Sequence, residues 1–232
     1  MQSTAQQQKR SFTRLELQEM IDNYRLKTLD HSTKNIRVVE LDRMTDVQKD
    51  EYERNLVLFK LWFLCGFRVS EIVSLRKENF DFNVDPNLEI AIIKNVENKK
   101  QRKGSRHAIK NNIILDYNDS WVRDIRVYIN HLETSCLFPK RLVIFGWVYK
   151  IIDEPMTTRS FMNIVKGLSP DLKTHDFRRS AINHLINFVG VNDVFALMSY
   201  TSHSNINSIN SYLHLQPLYT EKLLKANKKK KE

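Results

Sequence analysis

The sequence contains few of the residues that turn or cross-link a chain. It has five glycines, five prolines and two cysteines among 232 residues. So few turn-forming residues favour a helix-rich fold over a turn-rich β-sandwich. Cys65 and Cys136 both lie in apolar surroundings and show neither a metal-binding spacing nor a disulfide framework. This pattern indicates buried thiols in a reducing compartment.

Signals for secretion, for membrane insertion and for magnesium binding are also missing. The most apolar stretch, from Leu56 to Phe67, is interrupted by Lys60 and is too short to span a bilayer. No cluster of carboxylates of the kind that holds Mg²⁺ stands out. We therefore expect a cytoplasmic protein, in a prokaryotic cell or a virus host, that has no membrane contact and needs no cofactor or metal.

Positive charge is the main feature of the composition. The chain has 37 Lys and Arg against 27 Asp and Glu, a formal net charge of +10 at pH 7. Hydrophobic residues make up 41%, which is enough for an ordinary core. A basic excess of this size points to a polyanion, most often nucleic acid, although a soluble basic protein without such a partner would show the same excess.

Hydrophobic periodicity and capping residues predict a mainly α fold with a small antiparallel β-sheet (α+β). Helices are predicted from a Thr13/Glu16 capping box, over Asp46–Cys65 with Gly66 as C-cap, from about Ser70, over Trp121–Thr134, from a Thr158 cap to about Lys166, from a Thr174 cap to Gly190, and from Asn192 to Tyr200.

The β-branched segments predict the sheet. Leu88–Lys94 and His107–Leu115 read as a hairpin that carries a long loop, and Ile36–Leu41 reads as a short strand. The apolar segment Leu142–Ile152 fits either a helix or a strand.

The pair His175 and Arg178 is the first candidate for chemistry. The two residues lie three apart in the first turn of a predicted helix, so that their side chains share one face. A helix N-terminus offers free N–H groups and a positive dipole end, which suit a phosphate. A solvated basic turn is the plainer interpretation of the same pair.

Arg68 is the second candidate, because it follows the Gly66 helix break among apolar neighbours. A guanidinium in such surroundings needs a partner, and Glu71 is the nearest. Arg68 is therefore either held in place to grip a phosphate with two hydrogen bonds or engaged in a structural pair with Glu71.

The loop between the hairpin strands is strongly basic. Seven basic residues lie between positions 94 and 110: Lys94, Lys99, Lys100, Arg102, Lys103, Arg106 and Lys110. Such a tip either enters a groove of DNA or is a solvated flexible loop. His203 and Tyr212 are undistinctive when taken singly, since a tyrosine on an apolar helix face usually belongs to a core.

Taken in order, these segments resemble the tyrosine recombinases, the phage-integrase class of site-specific DNA recombinases. G-F-R-V-S-E-I-V-S-L (66–75) is similar to the family's first arginine box, and T-H-D-F-R-R-S-A-I-N-H-L (174–185) to its H-x-x-R box. S-H-S-N-I-N-S-I-N-S-Y (202–212) is similar to the last box, with the family's nine-residue step from histidine to tyrosine. E-P-M-T-T-R-S-F (154–161) also agrees. The resemblance covers about residues 12–220 and implies the family's catalytic-domain fold.

The resemblance implies a role for each residue in cutting and rejoining double-stranded DNA. Tyr212 is the nucleophile of a 3′-phosphotyrosyl intermediate, Arg68 and Arg178 clamp the non-bridging oxygens, His175 assists proton transfer, and His203 hydrogen-bonds the phosphate. A hairpin lysine protonates the leaving 5′-oxygen, with Lys103 as the first choice and Lys100 as the second. Lys99, Arg102, Arg106 and Arg179 are candidate DNA contacts.

The chemistry is consistent with these roles. A phenol needs a proton acceptor and cationic neighbours to attack at neutral pH, and two guanidiniums stabilise the charge of the transition state. No metal or ATP is then required. Two alternatives remain: a type IB topoisomerase-like or telomere-resolving enzyme, and a non-catalytic DNA-binding relative.

The chain departs from the family pattern in three respects. Ser202 replaces the usual glycine before His203, and Arg179 replaces a histidine that often follows the second-box arginine. The third departure is that we expect the family's N-terminal core-binding domain to be absent. We expect a disordered tail (1–11), a catalytic domain (12–220) and a lysine-rich tail (221–232). Residues 213–224 are apolar enough to dock, either on their own domain or on a neighbouring protomer in a dimer or tetramer.

Overall fold

A computed structural model describes residues 11–29, 36–83, 89–96, 112–144, 147–187 and 194–201. Its α-helices are α1 (Arg14–Asp22), α2 (Asp46–Cys65), α3 (Val69–Val73), α4 (Ser120–His131), α5 (Thr158–Leu168), α6 (Thr174–Asn187) and α7 (Val194–Thr201). Its strands are β1 (Lys27–Leu29), β2 (Ile36–Val38), β3 (Phe80–Asp81), β4 (Ile90–Ile93), β5 (Ile113–Asp116), β6 (Pro139–Ile144) and β7 (Trp147–Pro155). Two 3-10 turns lie at Leu41–Arg43 and Lys77–Asn79.

The strands pair in small antiparallel sheets around a mostly helical body, which confirms the predicted fold class. β1 pairs with β2, β3-β4-β5 form a three-stranded sheet, and β6 pairs with β7. Ile90 lies opposite Asp116, and Ile93 lies opposite Ile113. β4 and β5 are thus the two sides of the predicted hairpin, and its basic tip lies outside the described residues. Across the described part of the chain, no helix is both long and apolar enough to cross a membrane.

Local capping rules explain where the first two helices begin. The Thr13 hydroxyl accepts the Glu16 N–H at 3.2 Å, and the Glu16 carboxylate accepts the Thr13 N–H at 2.6 Å. Thr45 and Gln48 make the same reciprocal pair at the start of α2. These bonds satisfy N–H groups that have no partner within the helix. The structure confirms the predicted start of α1 and both predicted ends of α2.

Two of the predicted caps are wrong by one residue. The cap of α5 is Thr157, whose hydroxyl accepts the Ser160 N–H at 3.1 Å, and Thr158 is the first helical residue. Thr174 likewise lies inside α6, and the Asp176 carboxylate accepts the Lys173 N–H at 2.9 Å. Adjacent Thr-Thr and Lys-Thr pairs leave the register open in the sequence, because either residue can precede a helical turn.

The segment Leu142–Ile152, which the sequence left open, belongs to a hairpin. β6 and β7 run from Pro139 opposite Pro155 to Ile144 opposite Trp147, with two irregularities in register. The β-branched residues of the segment therefore follow their strand propensity, and the pairing of the two strands decides between the alternatives.

Helix α2 is the centre of the core. Its buried face packs against α4 and α6, and Trp62 is fully buried there. The Trp62 ring stacks on Phe177 of α6 with centroids 4.2 Å apart and meets the edge of Phe161 of α5 at 4.6 Å. One large side chain thus fixes three helices relative to one another.

Gly66 ends α2 and lets α6 approach its end. Its φ is +58°, and its N–H donates to the Trp62 carbonyl at 2.9 Å. A Cβ on this residue would lie 3.1 Å from the Cβ of Ala181, which is closer than ordinary packing allows. The left-handed conformation and the close contact both favour glycine at this position.

We therefore expect Gly66→Ala to lower the free energy of unfolding by about 2 kcal/mol, because the substitution combines a positive φ with a steric contact. Urea denaturation measures this change. Gly167→Ala in α5 is the matched control, since its Cβ would meet the Tyr24 ring at an ordinary 3.5 Å. That control should be neutral or stabilising by up to about 1 kcal/mol. Equal effects of the two substitutions would contradict the argument.

Candidate functional site

The Arg178 guanidinium joins the ends of two helices to α6. Only 4% of the residue is exposed. Its Nη1 donates to the Gly66 carbonyl at 2.8 Å, and its Nη2 donates to the Thr201 carbonyl. Both acceptors are backbone carbonyls at or beside helix C-termini, where the dipole end is negative. A buried cation is therefore stabilised by two partners that are held rigidly.

These two bonds bring three distant parts of the sequence together. Gly66 begins the first arginine box, Arg178 belongs to the H-x-x-R box, and Thr201 directly precedes the box that contains His203. Arg178 and Gly66 are 112 residues apart in the chain, and Arg178 and Thr201 are 23 apart. The first two boxes therefore lie side by side in the structure, and the residue before the third box contacts Arg178.

Glu71 holds Arg68 in place by two contacts. The carboxylate accepts the Arg68 N–H at 2.8 Å and the Arg68 Nη1 at 2.8 Å. Glu71 is fully buried, and the Arg68 side chain keeps 30% of its surface exposed. The predicted Arg68–Glu71 pair therefore exists, and it leaves part of the guanidinium on the surface. A structural pair and a phosphate-gripping arginine are thus compatible interpretations of the same residue.

The first turn of α6 is exposed at one residue and buried at the next three. His175 is exposed, whereas Asp176, Phe177 and Arg178 are buried. The Asp176 carboxylate lies 3.3 Å from Nη1 of Arg179, and the Arg179 side chain is only 13% exposed. Arg179 therefore lies against its own helix. Its assignment as a DNA contact stays a prediction.

Trp62 contacts the residue that precedes each of the two arginines, Arg68 and Arg178. Its indole N–H donates to the Phe67 carbonyl at 2.6 Å, and its ring stacks on Phe177 at 4.2 Å. Phe67 precedes Arg68, and Phe177 precedes Arg178. Because both phenylalanines are fully buried, the backbone that carries the two guanidiniums is fixed by the core.

Helix α7 is tied to the same place by contacts that the sequence did not predict. The Tyr200 phenol donates to the Leu64 carbonyl at 2.8 Å. Within α7 itself, the Thr201 hydroxyl donates to the Leu197 carbonyl at 2.6 Å. Burial raises the pKa of the Tyr200 phenol well above its ordinary value, so the group is a protonated donor at neutral pH. The sequence predicted this helix, from Asn192 to Tyr200, but not its contact with α2.

Several predicted site residues lie outside the described part of the chain. They are Lys99, Lys100, Arg102, Lys103, Arg106, His203 and Tyr212. The base of the hairpin that carries the five basic residues is described, and it is anchored on the β4 side. There Lys94 pairs with Asp81 at 2.9 Å, its carbonyl accepts the Asn79 side-chain amide at 3.0 Å, and Val96 is buried. The predicted arm therefore starts from an anchored strand.

The described part of this site is cationic. Two guanidiniums, Arg68 and Arg178, are held on adjacent backbone segments, and the imidazole of His175 is exposed one turn before Arg178. Among the described residues no group of three or more His, Cys, Asp or Glu could hold a metal ion. Fixed guanidiniums of this kind suit an oxyanion such as a phosphodiester.

Comparison with known proteins finds a family, a sequence relative and solved structures that resemble the chain. The profile of the Phage integrase family matches residues 34–218. Tyrosine recombinase XerD of Staphylococcus haemolyticus (strain JCSC1435) is 22% identical over 184 residues, which are 77% of this chain and 56% of XerD. The chain thus spans little more than half the length of this relative.

Solved structures show the same fold. XerH site-specific recombinase bound to palindromic difH substrate, a post-cleavage complex, aligns with a TM-score of 0.55 at 16% identity, over 97% of this chain and 55% of XerH. The Tn1549 transposon integrase in complex with transposon right end DNA aligns with a TM-score of 0.53 at 15% identity, over 97% of this chain and 68% of the integrase. These likenesses confirm the predicted tyrosine-recombinase catalytic-domain fold.

We expect Glu71→Gln to lower the free energy of unfolding by about 2 kcal/mol, because a buried, charge-assisted hydrogen bond to Arg68 is lost. The measurement is urea denaturation. Asp81→Asn, which weakens the more exposed Asp81–Lys94 pair, serves as the control and should destabilise the fold clearly less than Glu71→Gln does. A Glu71→Gln effect no larger than that of Asp81→Asn would contradict the view that Glu71 holds Arg68.

Proposed function

Because the chain belongs to the phage integrase family, we propose that it is a site-specific DNA recombinase that cleaves and rejoins strands through a covalent bond between Tyr212 and DNA. The observation that carries this proposal is the position of Arg178. One buried guanidinium bonds the carbonyls of Gly66 and Thr201, and so joins the segment that contains Arg68 and the last residue of α7 to the helix that carries His175.

The proposed reaction exchanges one phosphodiester for another. The Tyr212 phenol oxygen attacks the scissile phosphorus, the bond to the 5′-oxygen breaks, and a 3′-phosphotyrosyl bond forms. The phenol proton leaves to a base, and the departing 5′-oxygen gains a proton to become a free hydroxyl. A 5′-hydroxyl then attacks the phosphotyrosine and reverses these steps. The bond energy is conserved, so rejoining needs no ATP.

The two arginines stabilise the transition state in this proposal. Negative charge spreads over the non-bridging oxygens as the phenol attacks, and fixed cations nearby lower its energy without reorganising. The buried carboxylate of Glu71 and the carbonyls of Gly66 and Thr201 hold the arginines before DNA arrives. Preorganisation of this kind supports a catalytic rather than a purely structural role.

The remaining roles concern protons and DNA contacts. His175, exposed at the start of α6, assists proton transfer, and His203 hydrogen-bonds the phosphate. Lys103, or failing that Lys100, protonates the leaving 5′-oxygen from the hairpin arm. The further DNA contacts are Lys99, Arg102, Arg106 and Arg179.

Double-stranded DNA is the proposed partner. The net charge of +10 favours a polyanion, and the XerH and Tn1549 integrase structures are complexes with DNA. We assign catalysis to residues 12–220 and self-association on DNA to residues 213–224, as a dimer or tetramer. Contacts between basic side chains and phosphates should make this binding strongly dependent on salt.

The central experiment uses Tyr212→Phe. Nicked duplexes made from the genome that encodes the chain trap the adduct, because the short released strand diffuses away. The unsubstituted protein should give a protein–DNA adduct that survives denaturing electrophoresis, with the nucleotide on Tyr212 by mass spectrometry. Tyr212→Phe should give none and still bind DNA, since only the nucleophilic oxygen is removed.

Tyr117→Phe is the matched control, because its ring packs against Arg126 rather than near the site. It should form the adduct normally. DNA binding without any adduct from the unsubstituted protein would favour a non-catalytic relative. Relaxation of supercoiled DNA by a monomer, without exchange between two sites, would favour a type IB topoisomerase.

The proposed chemistry also predicts that chelators leave the reaction intact. Adduct formation should proceed at an unchanged rate in excess EDTA and without ATP, because guanidiniums supply the positive charge that a metal would otherwise supply. The initial rate of adduct formation with and without EDTA measures this. Loss of the adduct in EDTA and its return with Mg²⁺ would contradict a metal-independent reaction.

A further inference from the structure

Tyr200 occupies a position from which it can set the geometry of the arginine site. It is the penultimate residue of α7, and its phenol crosses to α2, 136 residues away in the chain, to donate to the Leu64 carbonyl at 2.8 Å. Leu64 lies two residues before Gly66, whose carbonyl binds Arg178. Tyr200 therefore contacts the same helix end that presents Arg68.

The Leu64 carbonyl is a fixed acceptor because α2 ends there. If the helix continued, this carbonyl would accept the N–H of Arg68, but that N–H donates to Glu71 instead. The Gly66 N–H donates to the Trp62 carbonyl. The last carbonyls of a helix have no intrahelical partner and take one from elsewhere. Tyr200 supplies this partner at Leu64.

Together with Arg178, this bond closes a ring of contacts between two helix ends. Tyr200 joins α7 to Leu64, the next residue, Thr201, joins α7 to Arg178, and Arg178 joins Gly66. The distance between the Gly66 and Thr201 carbonyls, which a single guanidinium spans, is thus also constrained through Tyr200 and Leu64. A planar guanidinium tolerates little change in that distance.

We propose that Tyr200 is a positioning residue for strand cleavage, which acts through Arg178 by holding the α7 end against the α2 end. The inference rests on the proposed recombinase function. Tyr200 does not touch DNA in this proposal. Its hydroxyl keeps the Gly66 and Thr201 carbonyls at a fixed separation, so that the Arg178 guanidinium faces the phosphate in a single orientation.

The expected effect is on the rate of the chemical step rather than on folding or DNA affinity. Tyr200→Phe removes one oxygen atom, and α7 stays packed through Leu197, which is buried against Ile182 and Ile186 of α6. A small displacement of a catalytic group can greatly slow a reaction even where the stability of the fold changes little. We expect adduct formation at saturating DNA to slow by about tenfold or more, with an unchanged Kd for DNA.

Tyr128→Phe is the matched control. The Tyr128 phenol is buried and donates to a backbone carbonyl, that of Leu137, at 3.0 Å, in a different part of the fold. The two substitutions remove the same kind of hydrogen bond and should lower Tm by similar amounts. Tyr128→Phe should leave the rate of adduct formation and the Kd unchanged.

A double variant separates positioning from general loosening. Lysine in place of Arg178 keeps a charge but lacks the planar fork that spans both carbonyls. If Tyr200 acts through Arg178, adding Tyr200→Phe to Arg178→Lys should slow the reaction much less than it slows the unsubstituted protein. Full additivity of the two rate losses would overturn the inference.

The outcomes distinguish this inference from the proposed function. An unsubstituted protein that binds DNA but forms no adduct would remove the recombinase proposal and this inference with it. A normal adduct in the unsubstituted protein, with Tyr200→Phe as fast as Tyr128→Phe, would overturn the role of Tyr200 alone. A Tyr200→Phe protein that loses DNA affinity or Tm well beyond Tyr128→Phe would show a structural role and also overturn it.

Discussion

The arrangement of the site depends on one buried cation. Arg178 is buried in the core, and its guanidinium donates to the carbonyls of Gly66 and Thr201. Because a buried guanidinium without partners is costly, these two bonds hold the end of α2 and Thr201 of α7 against α6. Arg68 follows Gly66 by two residues, so its position is tied to the same contacts.

The core is shaped to allow this meeting of helix ends. Trp62 packs on Phe177 and binds the Phe67 carbonyl, so the residues that precede both arginines are attached to one indole. Because Gly66 has no side chain and adopts a left-handed conformation, α6 can pack directly against the end of α2. Packing and polar contacts therefore act on the same few residues, and the described part of the site is an extension of the core.

Buried carboxylates hold the side chains of two arginines in place. Glu71 is fully buried and binds both the backbone and the guanidinium of Arg68, and buried Asp176 pairs with Arg179. With its carboxylate buried and the Arg68 guanidinium partly exposed, the first pair presents a positive group to solvent in a fixed orientation. In the proposed reaction, the cost of orienting this charge is met during folding rather than when DNA binds.

The sequence by itself determined the features that arise within a few residues. These include the capping box at Thr13, the Gly66 cap, the Arg68–Glu71 pair as one of two interpretations of Arg68, and the boxes that predicted the family fold. The predicted caps of α5 and α6 were each wrong by one residue, because neighbouring residues satisfy the same local rules equally well. For the same reason the sequence did not decide whether Leu142–Ile152 is a helix or a strand. Only the tertiary structure decided that Arg178 binds two carbonyls and that Tyr200 binds Leu64. Backbone carbonyls look alike in every sequence, and partners that lie 23 to 136 residues apart meet only when the core brings their helix ends together.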